Sequence, residues 1–232
     1  MPASLKAPPS ISLLSEMLAP VQFSLLFWQA PWLANMPHGD GETVLVWPGF
    51  GAGDLSTLIL RNYLSYLGYR AKAWPQGRNT GNVLALLPRL RQQVTKESSV
   101  KPVTIVGWSL GGYLAREVAR ECPENVARVI TLGSPVIGGA KFTALAGHYQ
   151  RQHRNLDDLE EAVEARYKVP LTVPVTAIYS KLDGIVAWQA CIDTRSPNVE
   201  HIEVFSSHVG LGCSGQVFRI IANTLSTLPT SV

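Results

Sequence analysis

A serine flanked by two glycines, between a strand-like run and a helix-like run, constrains this chain most. Four strand-forming residues, Val103 to Val106, lead directly into Gly107-Trp108-Ser109-Leu110-Gly111. This is the Gly-x-Ser-x-Gly pattern in a strand–turn–helix setting, where the turn is so tight that a Cβ on either glycine would clash with neighbouring backbone. A chance match is the competing explanation, and the strand and helix signals on either side argue against it. The pattern therefore predicts that Ser109 is a nucleophile at the carboxyl edge of a sheet.

Length and composition indicate one globular α/β domain. The chain has 232 residues, of which 46% are hydrophobic and 16% charged, and this length leaves little room for a second domain. The net charge is only +3 and the basic residues are dispersed, so we expect no nucleic-acid partner. The three cysteines form no CxxC pair and have no metal-ligand spacing with histidine. We therefore expect no metal, no disulfide framework and a reducing, cytoplasmic location.

The N-terminal residues 11–34 are rich in Leu, Phe and Trp and resemble a membrane segment at first sight. A glutamate, two glutamines and two prolines interrupt the run, and Lys6 is the only positive charge before it. The pattern therefore predicts neither a spanning helix nor a convincing signal peptide. We expect residues 1–42 to be a helical segment packed on the domain. The alternative is a weak, peripheral contact with a lipid surface through its aromatic side chains, which are Phe23, Phe27, Trp28 and Trp32.

Strand-like and helix-like runs alternate from Thr43 onward. The strand-like runs cover residues 43–47, 69–74, 103–106, 127–132, 175–180 and 201–205, and a closing helix is expected from Gln216 to Leu228. This rhythm predicts a mostly parallel sheet of about six strands with helices on both faces. The alternation of strands and helices stops over residues 136–170, where no strand is predicted. A charged amphipathic helix with a solvated face is expected there, from Leu156 to Arg166. A small lid over the site is the alternative role of this insertion.

A glycine-dense loop, Pro48-Gly49-Phe50-Gly51-Ala52-Gly53, follows the first predicted strand. Such a loop leaves backbone N–H groups free to point at an anion, beyond the carboxyl end of a strand, where α/β sheets hold their ligands. A phosphate-binding loop is the competing interpretation. The Gly-Lys-Ser/Thr ending of such loops is missing here.

A nucleophilic serine needs an imidazole to take its proton and an acid to orient that imidazole. His208 follows directly on a predicted strand, in a loop of small residues. The other histidines precede the sheet, fall in the insertion or start a strand at the opposite edge: His38, His148, His153 and His201. Asp183 lies just past the fifth predicted strand and precedes a glycine, so it is either the orienting acid or a turn-capping residue. We expect Ser109, Asp183 and His208 to meet at one sheet edge.

The order Ser109, Asp183, His208 along the chain is that of the α/β-hydrolases. Over roughly Thr43 to Leu228, the chain resembles bacterial lipases and esterases of that superfamily. The stretches that carry the resemblance are Trp47-Pro48-Gly49-Phe50-Gly51, Gly107-Trp108-Ser109-Leu110-Gly111-Gly112, Tyr179-Ser180-Lys181-Leu182-Asp183-Gly184 and Ser206-Ser207-His208-Val209-Gly210. The resemblance implies a minimal α/β-hydrolase domain over residues 43–232, with the N–H groups of Phe50 and Leu110 as an oxyanion hole. Two departures are a proline at position 48, where many relatives have histidine, and the lack of two N-terminal antiparallel strands.

Together these features predict a serine hydrolase that cleaves carboxylic esters through an acyl-enzyme, without metal or cofactor. Its substrate is expected to be a small-molecule ester or a lipid with an apolar acyl chain. Four apolar residues near the predicted catalytic loops are either substrate contacts or ordinary core: Trp47, Trp108, Val136 and Ile185. Two other functions stay open. One is an acyltransferase or thioesterase that uses the same three residues, and the other is a non-catalytic binding protein of this fold.

Overall fold

The computed structural model describes residues 5–151 and 155–227. Its sheet has six strands in the spatial order β2-β1-β3-β4-β5-β6, and all five pairings between neighbours are parallel. The strands are β1 Thr43–Trp47, β2 Arg70–Lys72, β3 Val103–Trp108, β4 Val126–Leu132, β5 Val175–Tyr179 and β6 Val199–Glu203. The predicted α/β fold with about six mostly parallel strands is confirmed. β2 is shorter than predicted, and β6 begins two residues earlier.

Seven α-helices connect or flank these strands in the described part of the chain. They are α1 Ala19–Ala34, α2 Leu58–Tyr66, α3 Val83–Glu97, α4 Leu110–Glu121, α5 Ala146–Arg151, α6 Leu156–Tyr167 and α7 Gly215–Ser226. A 3₁₀ helix, Ser10–Leu18, runs directly into α1, and shorter 3₁₀ turns include Gly139–Phe142 and Gly210–Gly212. The short helix α5 has no counterpart in the sequence prediction.

Side chains along each central strand alternate between two apolar layers. Leu45 and Trp47 point to the layer that contains α3 and α4, whereas Val44 and Val46 point to the layer of α1, α2 and α7. Both faces of the sheet are therefore covered, which explains why β1 is a continuous hydrophobic run. The loops that follow the parallel strands all open at the same edge, where ligands of α/β sheets bind.

The N-terminal segment, residues 10–34, packs on α7 and on the 3₁₀ turn Gly210–Gly212. Its outward side chains are largely exposed. The interrupted sequence pattern predicts no spanning segment, and the structure leaves this prediction untested. Among the described residues, one helix, Ser10–Ala34, is long and apolar enough to cross a membrane, with a window of mean hydropathy 1.4. Signal sequences and core helices meet the same criterion, so composition alone does not decide its role.

Residues 136–170 form the insertion between β4 and β5. It contains the turn Gly139–Phe142 and helices α5 and α6, so the predicted charged helix at Leu156 is present. Lys141 Nζ lies 2.7 Å from Asp157 Oδ1 and 2.5 Å from Glu160 Oε2, and these ion pairs hold the turn to α6. An antiparallel bridge between Thr143 and Val186 connects the insertion to the loop after β5.

Candidate active site

Ser109 occupies a strained turn between β3 and α4. Its φ is 54° and its ψ is −122°, and it is the only non-glycine residue with positive φ in the described part of the chain. The flanking glycines permit this turn because a Cβ on Gly107 would overlap Gly112 Cα, and one on Gly111 would overlap the carbonyl oxygen of Trp47. Such strain in a non-glycine residue is typical of a serine presented at the top of a sheet.

Asp183 and His208 are joined by a hydrogen bond between the loops that follow β5 and β6. His208 Nδ1 lies 2.6 Å from Asp183 Oδ2, and both side chains are buried. The other carboxylate oxygen accepts backbone N–H groups from Ile185 at 2.9 Å and Val186 at 2.7 Å, which fixes the carboxylate plane. An ionised carboxylate can only accept hydrogen bonds, so if Asp183 is ionised, Nδ1 is the protonated ring nitrogen, and in the neutral imidazole Nε2 then has a lone pair.

Gly133, at the end of β4, brings the serine turn next to this pair. The N–H of Ser109 donates to the carbonyl of Leu132, the residue before Gly133, at 2.7 Å. A Cβ placed on Gly133 would lie 2.9 Å from Asp183 Oδ2 and 3.1 Å from His208 Nδ1. The structure thus brings all three predicted residues to one corner of the sheet edge.

The indole of Trp108 adds a second connection between the two loops. Its Nε1–H donates to the His208 carbonyl at 3.1 Å, and the two ring centroids are 6.1 Å apart. Within residues 5–151 and 155–227, Ser109 Oγ forms no hydrogen bond with His208 Nε2. Nucleophile–base hydrogen bonds are often long until the substrate is bound, so this geometry is compatible with proton transfer.

The glycine-dense loop after β1 lies directly against the serine. A Cβ on Gly49 would be 3.2 Å from Ser109 Cβ. The N–H groups of Phe50 and Leu110 donate to no acceptor among the described residues, whereas those of Gly51 and Ala52, the two residues after Phe50, do. Two free donors beside the hydroxyl form an arrangement that can bind an anion.

Asn79, which the sequence pattern did not single out, holds this loop in place. Its side-chain Nδ2 donates to the Pro48 carbonyl at 2.9 Å. Its backbone accepts from Gly51 N at 2.7 Å and donates to Ala52 O at 2.8 Å. Asn79 is fully buried. Its position in the loop after β2, at the same sheet edge, is the one signal that could have identified it.

A cavity of about 80 Å³ opens beside Ser109, between the glycine-dense loop and the insertion. Its wall is mostly apolar and is formed by Phe50, Val83, Leu110, Tyr113, Pro135, Leu145, Tyr149, Leu159 and Val163, among others. Tyr149, Leu159 and Val163 belong to α5 and α6, so these helices roof the space above the serine.

The four predicted substrate contacts lie outside this cavity wall. Trp47 is fully buried in the core against Trp74, and Val136 is buried with its N–H bonded to the Ala190 carbonyl. Ile185 packs in a separate apolar cluster with Val186. Trp108 packs beside His208 instead. Adjacency in sequence does not determine side-chain direction, because successive strand residues point to opposite faces.

The remaining acids and histidines have other partners or positions. Asp193 forms a buried ion pair with Arg116 and accepts no contact from His208, while Asp54 pairs with Arg61 at 2.5 Å. The histidines outside the site lie beside Tyr66 (His38), beside Phe50 (His148) and next to Asp193 (His201). His153 falls outside the described residues. Among the described residues, no group of three or more His, Cys, Asp or Glu side chains could hold a metal ion.

Comparison with known proteins relates this site to acyl-group hydrolases. The model of the palmitoyl protein thioesterase family matches residues 61–182, which is just over half of the chain. Two curated relatives are pimeloyl-[acyl-carrier protein] methyl ester esterases. The protein of Sodalis glossinidius (strain morsitans) is 30% identical over 113 residues, covering 47% of this chain. That of Klebsiella pneumoniae (strain 342) is 27% identical over 180 residues, covering 66% of this chain.

The alignments cover 40% and 66% of these two relatives, so the chain spans less than two thirds of their length. Among solved structures, the chain is similar to one described under LipS and LipT, two metagenome-derived lipolytic enzymes. The TM-score is 0.62 at 17% identity, and the match covers 82% of this chain and 94% of the other. At this identity the structural likeness shows the α/β-hydrolase fold alone.

Proposed function

Since the chain belongs to the palmitoyl protein thioesterase family and has an α/β-hydrolase fold, we propose that it is a serine hydrolase of carboxylic esters. Ser109 is the nucleophile, His208 the general base and Asp183 the acid that orients the imidazole. The N–H groups of Phe50 and Leu110 form the oxyanion hole. One observation carries the proposal: the 2.6 Å hydrogen bond between Asp183 and His208 lies beside the strained Ser109 turn.

The reaction follows from the positions of these groups. Ser109 Oγ attacks the carbonyl carbon while His208 Nε2 takes the hydroxyl proton, and the two N–H groups bind the negative oxygen of the tetrahedral intermediate. His208 then returns the proton to the leaving alcohol, which departs and leaves an acyl-Ser109 ester. Water then attacks this ester while His208 Nε2 takes its proton, and His208 gives that proton to Ser109 Oγ as the acid leaves, which restores the hydroxyl.

The cavity supports an apolar acyl group on the substrate. Its wall beside Ser109 is mostly aliphatic and aromatic. Its volume of about 80 Å³ is small compared with the ~300–1,000 Å³ of common ligand pockets. We therefore infer that the insertion, residues 136–170, acts as a lid, and that α5 and α6 move apart from the glycine-dense loop when a long acyl chain binds.

Thioesters are a second substrate class that the family match supports. A thioester and an oxygen ester pass through the same acyl-enzyme, so the two activities differ in the leaving group alone. Matched acyl thioesters and p-nitrophenyl esters over a series of chain lengths would rank them. Adding an alcohol or thiol then tests acyl transfer, since an acyltransferase would pass the acyl group to the added acceptor in preference to water.

A lipid surface is a further proposed contact, through the outward face of residues 10–34. Phe27, Trp28 and Trp32 are 69%, 78% and 71% exposed. Glu16, the only charged residue in the segment, points its carboxylate at the domain. An uncharged helix face with several aromatic side chains is suited to the boundary between lipid headgroups and acyl chains.

Flotation with neutral phosphatidylcholine vesicles tests this contact. Replacing Trp28 and Trp32 with serine should reduce the vesicle-bound fraction. Replacing Val100 with serine should leave it unchanged, because Val100 is 86% exposed but follows α3, which packs on the other face of the sheet from α1. Equal binding by all three proteins would contradict the lipid contact and leave the proposed chemistry untouched.

Labelling by a fluorophosphonate probe tests the proposed nucleophile against a non-catalytic binding role. The wild-type chain should be labelled at Ser109, and Ser109→Ala should not be labelled. A folded wild-type protein that stays unlabelled would contradict the proposal, because an activated serine reacts with such probes independently of the acyl group it prefers.

A further inference from the structure

Glu16 connects the N-terminal segment to both loops that carry the Asp183–His208 pair. Its Oε1 accepts the N–H of Gly184 at 3.0 Å and the N–H of His208 at 2.9 Å. Its Oε2 accepts the N–H of Val209 at 2.8 Å. Glu16 Oε1 therefore binds the backbone of both Gly184, which follows Asp183, and His208.

Within the described part of the chain, the hydrogen bonds of the Glu16 carboxylate all go to these two loops. Among the described residues, Glu16 forms no ion pair with Lys, Arg or His, so these three backbone N–H groups are its partners. Hydrogen bonds from backbone N–H groups to an ionised carboxylate are about twice as strong as neutral ones. Three of them from two separate loops restrain the distance between the loops.

A second polar side chain of the segment supports the same loop. Gln22 Nε2 donates to Ser206 Oγ at 2.9 Å, and Gln22 Oε1 accepts from Ser207 N at 3.3 Å. The close packing extends to Gly184, where a Cβ would overlap the Ser12 carbonyl oxygen. The inner face of residues 10–34 is thus shaped around the backbone that precedes and follows His208.

We propose that Glu16 is a positioning residue for the reaction: it holds the loop after β5 and the loop after β6 at the separation at which His208 Nδ1 meets Asp183 Oδ2. This inference rests on the proposed function for its effect on catalysis. Without the carboxylate, three backbone N–H groups lose their acceptor, and the His208 loop is free to shift. A misplacement of a catalytic group by ~1 Å typically costs about a hundredfold in rate.

The competing explanation is that Glu16 merely anchors the N-terminal segment to the domain. The chain offers a matched control, because Tyr63 Oη donates to the Leu33 carbonyl at 3.2 Å, at the far end of the same segment. Tyr63→Phe removes one bond between segment and domain without touching either catalytic loop. If anchoring is all that matters, Glu16→Ala and Tyr63→Phe should act alike.

The experiment compares Glu16→Ala, Glu16→Gln and Tyr63→Phe in the full chain, using p-nitrophenyl ester kinetics and proton NMR. The downfield resonance of the His208 Nδ1 proton reports the bond to Asp183 directly and needs no turnover. Glu16→Ala should lower kcat by roughly ten- to hundredfold with little change in KM, and it should shift or broaden this resonance. Glu16→Gln keeps one oxygen acceptor, so it should restore part of the lost kcat and part of the wild-type resonance. Tyr63→Phe should match the wild type in both.

Two results separate the failure of this inference from failure of the proposed function. If Glu16→Ala, or Glu16→Gln where the alanine variant does not fold, keeps wild-type kcat and an unchanged resonance, Glu16 has no positioning role. If the wild type has no esterase activity but the resonance moves in Glu16→Ala and not in Tyr63→Phe, the proposed function fails and the restraint on the His208–Asp183 geometry stands.

Discussion

Asp183 Oδ2 and His208 Nδ1 are 2.6 Å apart although the two residues are 25 positions apart in the chain. The contact exists because β5 and β6 are parallel neighbours, paired from Val175 with Val199 to Tyr179 with Glu203. The loops that follow β5 and β6 therefore leave the sheet side by side, at the edge where Ser109 also lies. The proposed chemistry depends on this pairing, since it orients the imidazole with Nε2 free to accept a proton.

Replacing Asp183 with asparagine should reverse the hydrogen bond to His208 with little loss of fold. The asparagine oxygen can still accept the N–H groups of Ile185 and Val186. Its amide nitrogen would then donate to Nδ1 and force the proton onto Nε2, which is the wrong tautomer for a base. We expect kcat for a p-nitrophenyl ester to fall by about 10³–10⁴-fold at pH 7. An unchanged melting temperature with a kcat within tenfold of wild type would contradict this role.

Gly133→Ala should impair catalysis more than Gly77→Ala. Both positions have positive φ, 55° and 68°, so an alanine is strained at each. A Cβ on Gly133 would crowd Asp183 Oδ2 and His208 Nδ1 at 2.9 and 3.1 Å, whereas one on Gly77 meets nothing within 4 Å. The difference in kcat between the two folded variants isolates the effect of crowding. Equal activities would show that the Asp183–His208 geometry tolerates displacement.

The buried pair of Arg116 and Asp193 predicts a loss of stability in acid. Burial raises the pKa of Asp193, but the Arg116 guanidinium and hydrogen bonds from Ser196 and Arg195 together lower it more, so the net pKa is well below its ordinary value. A depressed folded-state pKa contributes stability that is present above the unfolded value of about 3.9 and is lost as pH falls below it. Urea unfolding at pH 7 and in steps down to pH 3 measures this loss.

A variant that breaks an exposed ion pair provides the control for one that breaks the buried pair. Arg116→Met should cost about 3–5 kcal/mol of unfolding free energy at pH 7, because it leaves Asp193 buried without its partner. Arg91→Met breaks an exposed pair with Glu121 and should cost ~0–1 kcal/mol. If Arg116→Met costs no more than Arg91→Met, the buried pair does not stabilise the fold.

The sequence predicts those parts of the fold and the site that follow from local pattern and strand order. The apolar runs define the strands, and parallel strands bring the loops with Ser109, Asp183 and His208 to one edge. No comparable signal predicts the cavity wall. Tyr149 and Val163 reach it because α5 and α6 fold back over the site, and a period of 3.6 residues does not reveal where an amphipathic helix docks.

Glu16 is the clearest example of a contact that the sequence pattern does not predict. It lies 192 positions before His208 in the chain and binds its backbone N–H, a contact that leaves no side-chain pattern in the His208 loop. In the sequence, Glu16 reads as an interruption of an apolar run. Neighbours in sequence predict substrate contacts for Trp47 and Ile185, yet strand pleat and loop packing place these two side chains in other apolar clusters.

The most direct test of the account is the hydrolysis of a p-nitrophenyl acyl ester by the wild type and by Ser109→Ala. Ser109 is only partly buried and its side chain bonds to no described residue, so the alanine variant should keep the wild-type melting temperature. We predict that hydrolysis by the wild type is saturable and that Ser109→Ala lowers kcat by at least ~10⁴-fold. A folded Ser109→Ala protein that retains most of the wild-type rate would contradict the assignment of Ser109 as the nucleophile.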